Sequence, residues 1–204
     1  MPVFTRNPNI KKLLERDDIQ GLVRALGRAS ADVRAEIVQV LVDMRDPRAT
    51  EALMLEAERG NMSVRSLAAQ ALNRVDPERK YIAAVHMLSD VHRNVRTAAA
   101  GILAVLGNPK ALDALTTTLT NDRDPQARSA AALAVGMLHD RRSLQPLIEA
   151  LDDHDDRVRV AAAGALSALG DRTALEPLMR MHENDPHPEG RSAAEKAITK
   201  LQHV

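Results

Sequence analysis

The chain has 204 residues, a formal net charge of +0 and no cysteine, and only 1% of its residues are aromatic. The absence of cysteine excludes disulfides, thiolate metal sites and cysteine nucleophiles. The balanced charge argues against a protein that coats nucleic acid or an anionic membrane, and the scarcity of aromatic residues removes the usual base-stacking surfaces.

The first predicted element is a short helix near the N-terminus, from about residue 9 to residue 16. Lys11, Lys12, Glu15 and Arg16 make this helix strongly polar, so we expect it to cap the elements that follow, with the cap spanning residues 1–17. Nothing before it has the continuous apolar stretch of a signal peptide, and no window approaches the ~18 apolar residues of a membrane span. The sequence therefore predicts a cytoplasmic protein.

An internal repeat follows this helix. An arginine that precedes an alanine-rich run recurs at intervals of 31 or 32 residues, at Arg34, Arg65, Arg96, Arg128, Arg159 and Arg191. A second series of apolar residues keeps the same register from Leu22 to Leu178. Together the two series predict a single domain, residues 1–204, with six repeats at approximately 18–45, 46–75, 76–107, 108–139, 140–170 and 171–204.

Each repeat is predicted to be a pair of antiparallel helices. Apolar residues in both halves of the fifth repeat fall at helical spacing, as in the run Ala162, Ala163, Leu166 and Leu169. Capping residues before prolines predict helix starts, and two glycines predict left-handed helix ends: Pro47, Pro77, Pro109 and Pro125, then Gly107 and Gly170. Because one such pair cannot bury its apolar face alone, we expect the repeats to stack, with a polar last helix as a second cap.

The repeats resemble the short HEAT-like repeats of bacterial and archaeal proteins, the class named after phycobilin lyases. The fifth repeat carries the resemblance through Pro146-Leu147-Ile148, Ala150-Leu151, Asp152-Asp153, Val158-Arg159 and the alanine-rich run that ends at Gly170. The resemblance covers nearly all of the chain from Asp18, and the first two repeats depart from it most. It implies an all-α fold, a right-handed α-solenoid of six helical pairs with an N-terminal capping helix. That fold hosts adaptors, lyases and a few enzymes, so the resemblance leaves the function open.

A row of aspartates accompanies the repeat arginines. Each aspartate precedes its arginine by six residues, in the pairs Asp90 and Arg96, Asp122 and Arg128, Asp153 and Arg159, and Asp185 and Arg191. An arginine at the start of a helix is unfavourable for the helix dipole, so we expect a carboxylate partner. The resemblance implies that these residues form a structural ladder between repeats. The matching positions in the first two repeats are Arg28 and Arg59, so we expect the ladder to be incomplete there.

Candidate catalytic and metal-binding residues are few. A di-iron hydroxylase with a similar fold carries His-Glu pairs where this chain has Ser66-Leu67, Thr97-Ala98, Ser129-Ala130, Val160-Ala161 and Ser192-Ala193. Two weaker cation candidates are the acidic run 152–156 and the group His182, Glu183, Asp185 and His187. Neither has a recognised ligand spacing, and capping of helix starts explains them better. We therefore predict no catalytic residue, no metal and no cofactor.

The resemblance also implies that the second helix of each repeat lines the inner, concave surface, with the side chains at positions one, two, five and eight after the repeat arginine exposed on it. The predicted partner-binding residues are Thr97, Ala98, Gly101, Ser129, Leu133, Val160, Gly164 and Ser167. This surface is small and uncharged, which suits a protein or peptide segment that docks in a groove. Two alternatives stay open: the small residues only permit tight curvature, or the face is a seam between copies of the chain.

The sequence thus predicts a non-enzymatic scaffold for protein–protein interaction, with no nucleic-acid or membrane partner. Two alternatives are a phycobilin lyase-like protein that handles a chromophore and a regulatory subunit of an enzyme. The first is favoured only by the family resemblance, and few aromatic or basic groups are present to hold a tetrapyrrole.

Overall fold

A computed structural model describes residues 7–59, 64, 67, 68 and 71–203, and every regular element in these ranges is helical. The predicted all-α fold is confirmed. The chain divides into two compact units, residues 1–83 and 84–204. Among the described helices, none combines the length and apolar character that crossing a membrane requires.

Residues 7–59 form four helices of the first unit: α1 (Pro8–Glu15), α2 (Ile19–Leu26), α3 (Ala31–Asp43) and α4 (Pro47–Arg59). The predicted N-terminal helix corresponds to α1, which packs on α2 through the buried Ile10 and exposes its charged residues. Asn7 caps it, because the Asn7 side chain accepts a hydrogen bond from the backbone N–H of Asn9 at 3.0 Å. Residues 1–6 of the predicted cap lie outside the described residues.

The core of the first unit is made by α2, α3 and α4. Its largest fully buried side chains are Leu22, Leu26, Ile37, Leu41 and Leu53. Beyond α4, the helical residues Val64, Leu67, Ala68, Ala71 and Leu72 fall where the second helix of the second repeat is predicted. The repeat arginine at position 65 and Ser66 lie outside the described residues.

The remaining helices are α5 (Pro77–Met87), which contains the boundary between the units, and, in the second unit, α6 (Arg93–Leu106), α7 (Leu112–Asn121), α8 (Pro125–Met137), α9 (Leu144–Glu149), α10 (Asp156–Leu169), α11 (Leu175–Asn184) and α12 (Pro188–Gln202). Each predicted repeat from residue 76 onward therefore holds two helices. Short 3-10 turns precede α7, α9 and α11, at Pro109–Ala111, Arg141–Ser143 and Arg172–Ala174, and another follows α9 at Ala150–Asp152.

Helix ends in the second unit follow the predicted signals. Gly107 and Gly170 have φ values of 61° and 74°, which confirms the predicted left-handed ends of α6 and α10. Asp124 caps α8 by accepting a hydrogen bond from the Gln126 backbone at 2.9 Å. Pro109 was predicted to begin an α-helix, but it begins a 3-10 turn that continues into α7, because Ala111 bonds back to the Asn108 carbonyl three residues earlier.

The second helices of the second unit pack in sequence, α6 on α8, α8 on α10 and α10 on α12, while α7, α9 and α11 pack against α8, α10 and α12. The contact surfaces are lined by fully buried alanines: Ala99, Ala100, Ala131, Ala132, Ala162, Ala163 and Ala194. Small side chains let neighbouring helices approach closely, and pairs stacked in this way form an α-solenoid.

Gly136 marks the closest approach between α8 and α10. This residue is at position eight after Arg128 and was therefore predicted to be exposed on the concave surface, but it is buried against Ala165. A Cβ atom at position 136 would lie 2.8 Å from the Ala165 Cα atom, which is backbone that cannot move alone. The predicted exposure of Gly136 is wrong because the neighbouring helix α10 covers this residue.

Gly136→Ala is expected to lower the free energy of unfolding by about 1–3 kcal/mol, because the added methyl forces α8 and α10 apart. Gly101→Ala is the matched control, since a Cβ atom there meets nothing within 4 Å. The control should raise stability by up to about 1 kcal/mol through the helix propensity of alanine. Urea denaturation of both variants tests the assignment. The assignment fails if both substitutions change the free energy of unfolding in the same direction.

Candidate partner-binding site

Three repeat arginines of the second unit each bind an aspartate of the following repeat. Every contact is bidentate, with nitrogen–oxygen distances of 2.6–2.8 Å, in the pairs Arg96 with Asp122, Arg128 with Asp153, and Arg159 with Asp185. Each aspartate also accepts a backbone N–H from the residue two positions later, at 2.8–2.9 Å. Consecutive repeats are therefore joined by paired charge-assisted hydrogen bonds.

The aspartate six residues before each arginine contributes its carbonyl oxygen to that arginine. The Nη1 atoms of Arg96, Arg128, Arg159 and Arg191 donate to the carbonyls of Asp90, Asp122, Asp153 and Asp185 at 2.7–2.9 Å. The arginine thus holds its own repeat through a carbonyl and the next repeat through a carboxylate. The six-residue spacing in the sequence corresponds to the contact with the carbonyl. It does not indicate the contact with the carboxylate of the next repeat.

Both ends of this ladder differ from its middle. Asp90 accepts a hydrogen bond from the His92 backbone, and Arg65, at the preceding repeat position, lies outside the described residues. Arg191 donates to the Asp185 carbonyl, and the described residues contain no carboxylate bound to its guanidinium. In the first repeat, Arg34 donates its Nε–H to the Ala29 carbonyl at 2.9 Å. Arg28 is exposed, and the side chain of Arg59 is not described.

Burial and hydrogen bonding shift the pKa values of the ladder aspartates in opposite directions. The Arg159 and Asp185 side chains are only 9% and 1% exposed. Hydrogen bonds from Arg159 lower the pKa of Asp185 below its ordinary value and outweigh the burial that would raise it. For Asp122 and Asp153, burial is the largest influence and raises the pKa, but hydrogen bonds from arginine and backbone together reverse it, so both pKa values are lowered.

Acid is therefore expected to destabilise the second unit. A carboxylate whose pKa is lower in the folded state contributes stability above its unfolded pKa of about 3.9, and this contribution is lost as the pH falls through the folded pKa. The contribution of the ladder should be complete above about pH 5 and should fall steeply below about pH 4. Urea unfolding from pH 3 to pH 7 measures it. Asp185→Asn should be less stable at pH 7 and lose less stability in acid, and an equally steep loss in that variant would contradict the assignment.

The two acidic and histidine-rich segments are engaged in structural contacts. Asp153 and Asp185 belong to the ladder, and Asp155 caps α10 while it pairs with Arg157 at 2.8 Å. The His182 Nδ1 atom lies 3.1 Å from the Arg191 carbonyl oxygen. Within the described part of the chain, no three histidine, aspartate or glutamate side chains gather in a way that could hold a metal ion.

The predicted partner-binding residues lie on three consecutive second helices. Gly101, Leu133 and Gly164 are exposed, while the other five are half-buried: Thr97, Ala98, Ser129, Val160 and Ser167. The Ser129 hydroxyl donates to the Arg157 carbonyl at 3.2 Å, so this side chain bridges to the next repeat. Position five after the repeat arginine is therefore the most accessible of the predicted positions, whereas position eight is buried at Ala104 and Gly136.

Two large exposed apolar residues on the described second helices are not among the residues predicted from the sequence. Val105 and Met137 are 84% and 57% exposed, and each lies one helical turn after a residue at position five, Gly101 and Leu133. Their signal is the spacing of four residues along the helix, which places positions five and nine on one side. We call the residues at these two positions in α6, α8, α10 and α12 the second-helix face: Gly101, Val105, Leu133, Met137, Gly164, Ala168, Lys196 and Lys200.

A groove of about 610 Å³ adjoins the second-helix face between α10 and α12. Predicted residues from α10 form one wall, and residues of α12 form the other: Val160, Gly164 and Ser167, then Pro188, Glu189, Ser192, Ala193, Lys196 and Ala197. A Cβ atom added to Gly164 would meet nothing within 4 Å, so the floor of the groove is open at this point. The groove has room for a peptide side chain or a short backbone segment.

Comparison with known proteins relates this geometry to a family of repeats. A family model of HEAT repeats matches residues 57–136 and 113–199. Human deoxyhypusine hydroxylase, in a complex with glycerol, is similar in structure, with 24% identity, a TM-score of 0.53, and coverage of 93% of this chain and 75% of that one. The Escherichia coli protein YibA is 23% identical with a TM-score of 0.54, over 95% of this chain and 71% of the other.

An engineered protein also matches, at 20% identity and a TM-score of 0.51, over 92% of this chain and 99% of its own. At these identities the likeness concerns the fold alone. Among curated proteins, none matches the sequence significantly.

Proposed function

Because this chain belongs to the HEAT-repeat family, we propose that it is a non-enzymatic scaffold that holds a partner protein on its second-helix face. The observation that carries the proposal is the alignment of three exposed apolar side chains on neighbouring helices, Val105, Leu133 and Met137. Apolar side chains exposed on packed neighbouring helices are typical of protein-interaction sites. The charged ladder is engaged in holding the repeats together and supplies no free charge to the site.

The spacing of the reactive side chains along the repeats supports a binding role over a catalytic one. The serines on the second helices recur once per repeat, so they are spread along the array, away from any shared base. The first two residues after each repeat arginine in α6, α8, α10 and α12 are alanine, valine, serine or threonine, and none of them is a histidine or a carboxylate. A scaffold needs only the shape and the exposed face that these helices provide.

Gly164→Trp tests the site directly. A tryptophan at this position fills the groove between α10 and α12, so captured partner should fall at least tenfold while helicity and melting temperature are retained. Thr117→Trp adds the same side chain at an exposed position of α7, the first helix of the fourth repeat, and serves as the matched control. Chemical crosslinking in native extracts, followed by quantitative mass spectrometry, measures the captured proteins.

The outcomes separate the proposal from its alternatives. Equal capture by wild type and both variants places the interface on another surface. If the wild-type chain forms a dimer in light scattering and Gly164→Trp makes it monomeric, the face is a seam between two copies. If absorbance changes on addition of a bilin and Gly164→Trp abolishes that change, the lyase-like alternative replaces the scaffold.

A further inference from the structure

The second-helix face changes its chemical character from α6 to α12. Positions five and nine carry the exposed apolar residues Val105, Leu133 and Met137 on α6 and α8. They carry Gly164 and Ala168 on α10, both exposed, and Lys196 and Lys200 on α12, also exposed. The face therefore runs from an apolar end, across a small-residue middle, to a cationic end.

The two lysines are available for a ligand. Neither Lys196 nor Lys200 has an ion-pair partner among the described residues, in contrast to the arginines of the ladder. They lie four residues apart on one side of α12, so their ammonium groups act on the same region of solvent. Glu189 lines the same groove two helical turns before Lys196, so both lysines lie in the C-terminal half of α12, away from this carboxylate.

The groove joins the small-residue middle of the face to its cationic end. Gly164 on α10 and Lys196 on α12 both line it, and the open space above Gly164 allows a peptide backbone to approach α10 closely. Ser167 and Ser192 also line the groove and carry hydroxyls that can bond to a peptide backbone. A segment lying across the second helices would thus meet apolar, neutral and cationic surface in that order.

We infer that the partner segment is a short acidic-hydrophobic stretch, with apolar side chains on Val105, Leu133 and Met137 and carboxylates at Lys196 and Lys200. This inference rests on the proposed function and names the chemistry of its partner. Packed helices lie about 8–10 Å apart, so α8 and α12 are separated by roughly 16–20 Å. An extended chain rises about 3.3 Å per residue, which places the acidic residues about five or six positions from an apolar residue on Leu133 or Met137, and about seven to nine positions from one on Val105.

A random library of 12-residue peptides displayed on phage, selected against the immobilised full-length protein, tests the inference. Enriched peptides should combine two or more apolar residues with aspartate or glutamate five or six positions away. Selection against Lys196→Glu/Lys200→Glu should instead enrich peptides with lysine or arginine at those positions. The enriched wild-type peptides, synthesised and labelled, should bind at least tenfold more weakly to that variant and to Leu133→Ser/Met137→Ser by fluorescence polarisation.

The possible failures are distinguishable. If the enriched peptides lack acidic residues, or bind equally to Lys196→Glu/Lys200→Glu, the acidic assignment is wrong and the scaffold proposal stands. If no peptide is enriched on the wild type, neither the inference nor a peptide-binding scaffold survives. Retained melting temperatures in both double variants, whose substitutions are at exposed positions, exclude unfolding as the cause of lost binding.

Discussion

Arg159→Ala is expected to lower the free energy of unfolding by about 3–5 kcal/mol, because it leaves the Asp185 carboxylate buried without its cation. Asp185 is 1% exposed, and Arg159 supplies two hydrogen bonds of 2.7 and 2.8 Å to it. The substitution also removes the hydrogen bond from the guanidinium to the Asp153 carbonyl, so a contact within the fifth repeat is lost together with the contact to the sixth. Urea denaturation followed by circular dichroism gives the difference.

Arg180→Ala is the matched control for this substitution. Arg180 forms an exposed pair with Glu176 on the same helix, at 3.1 Å, and its loss should cost less than about 0.5 kcal/mol. The double variant Arg159→Ala/Asp185→Ala should cost less than the sum of the single losses, since no unpaired buried charge remains. Unchanged melting of Arg159→Ala together with lost partner capture would reassign this arginine to binding.

Gly190→Ala should destabilise the protein by about 2–4 kcal/mol, although it only adds one methyl group. Gly190 is buried on α12 beside the Asp185 carboxylate, and a Cβ atom there would overlap both carboxylate oxygens. The carboxylate must then leave its position opposite Arg159. Thermal and urea unfolding both report this loss.

Gly164→Ala provides the control, because that glycine is exposed on α10 with open space around it. The control should be as stable as wild type or more stable by up to about 1 kcal/mol. The mechanism is checked in the Arg159→Ala/Asp185→Ala background, where no carboxylate remains to be displaced. If Gly190→Ala lowers the free energy of unfolding by the same amount in that background as in wild type, displacement of the Asp185 carboxylate is not the cause of the loss.

The repeat architecture was predictable because it depends on local signals that recur. The period of the arginines places the helical pairs, and Gly107 and Gly170 mark helix ends that the structure confirms. Membership of the HEAT-repeat family is also shown, whereas the narrower resemblance to the phycobilin-lyase class stays a prediction. The single-domain assignment likewise stays a prediction.

The burial of individual residues and the contacts between repeats could not be predicted, because they depend on which helix lies beside each residue. Gly136 and Gly164 occur in similar alanine-rich runs, yet α10 covers Gly136 on α8, whereas Gly164, on α10 itself, is exposed at the groove. The carboxylate that binds Arg159 lies 26 residues later in the chain, so only the stacking of repeats brings it near. Met137 was overlooked because the expected outward positions followed the family's pattern, and position nine was not among them.

The double attachment of each ladder arginine has a consequence for how the second unit opens. When one repeat detaches, its neighbour is left with a buried ion that has lost its counterion, so local opening carries a penalty on both sides of the break. Fraying from an end is then disfavoured, and the unit opens in few, large steps. Backbone amides of α8 and α10 should accordingly exchange with deuterium at similar rates, as members of one cooperative block.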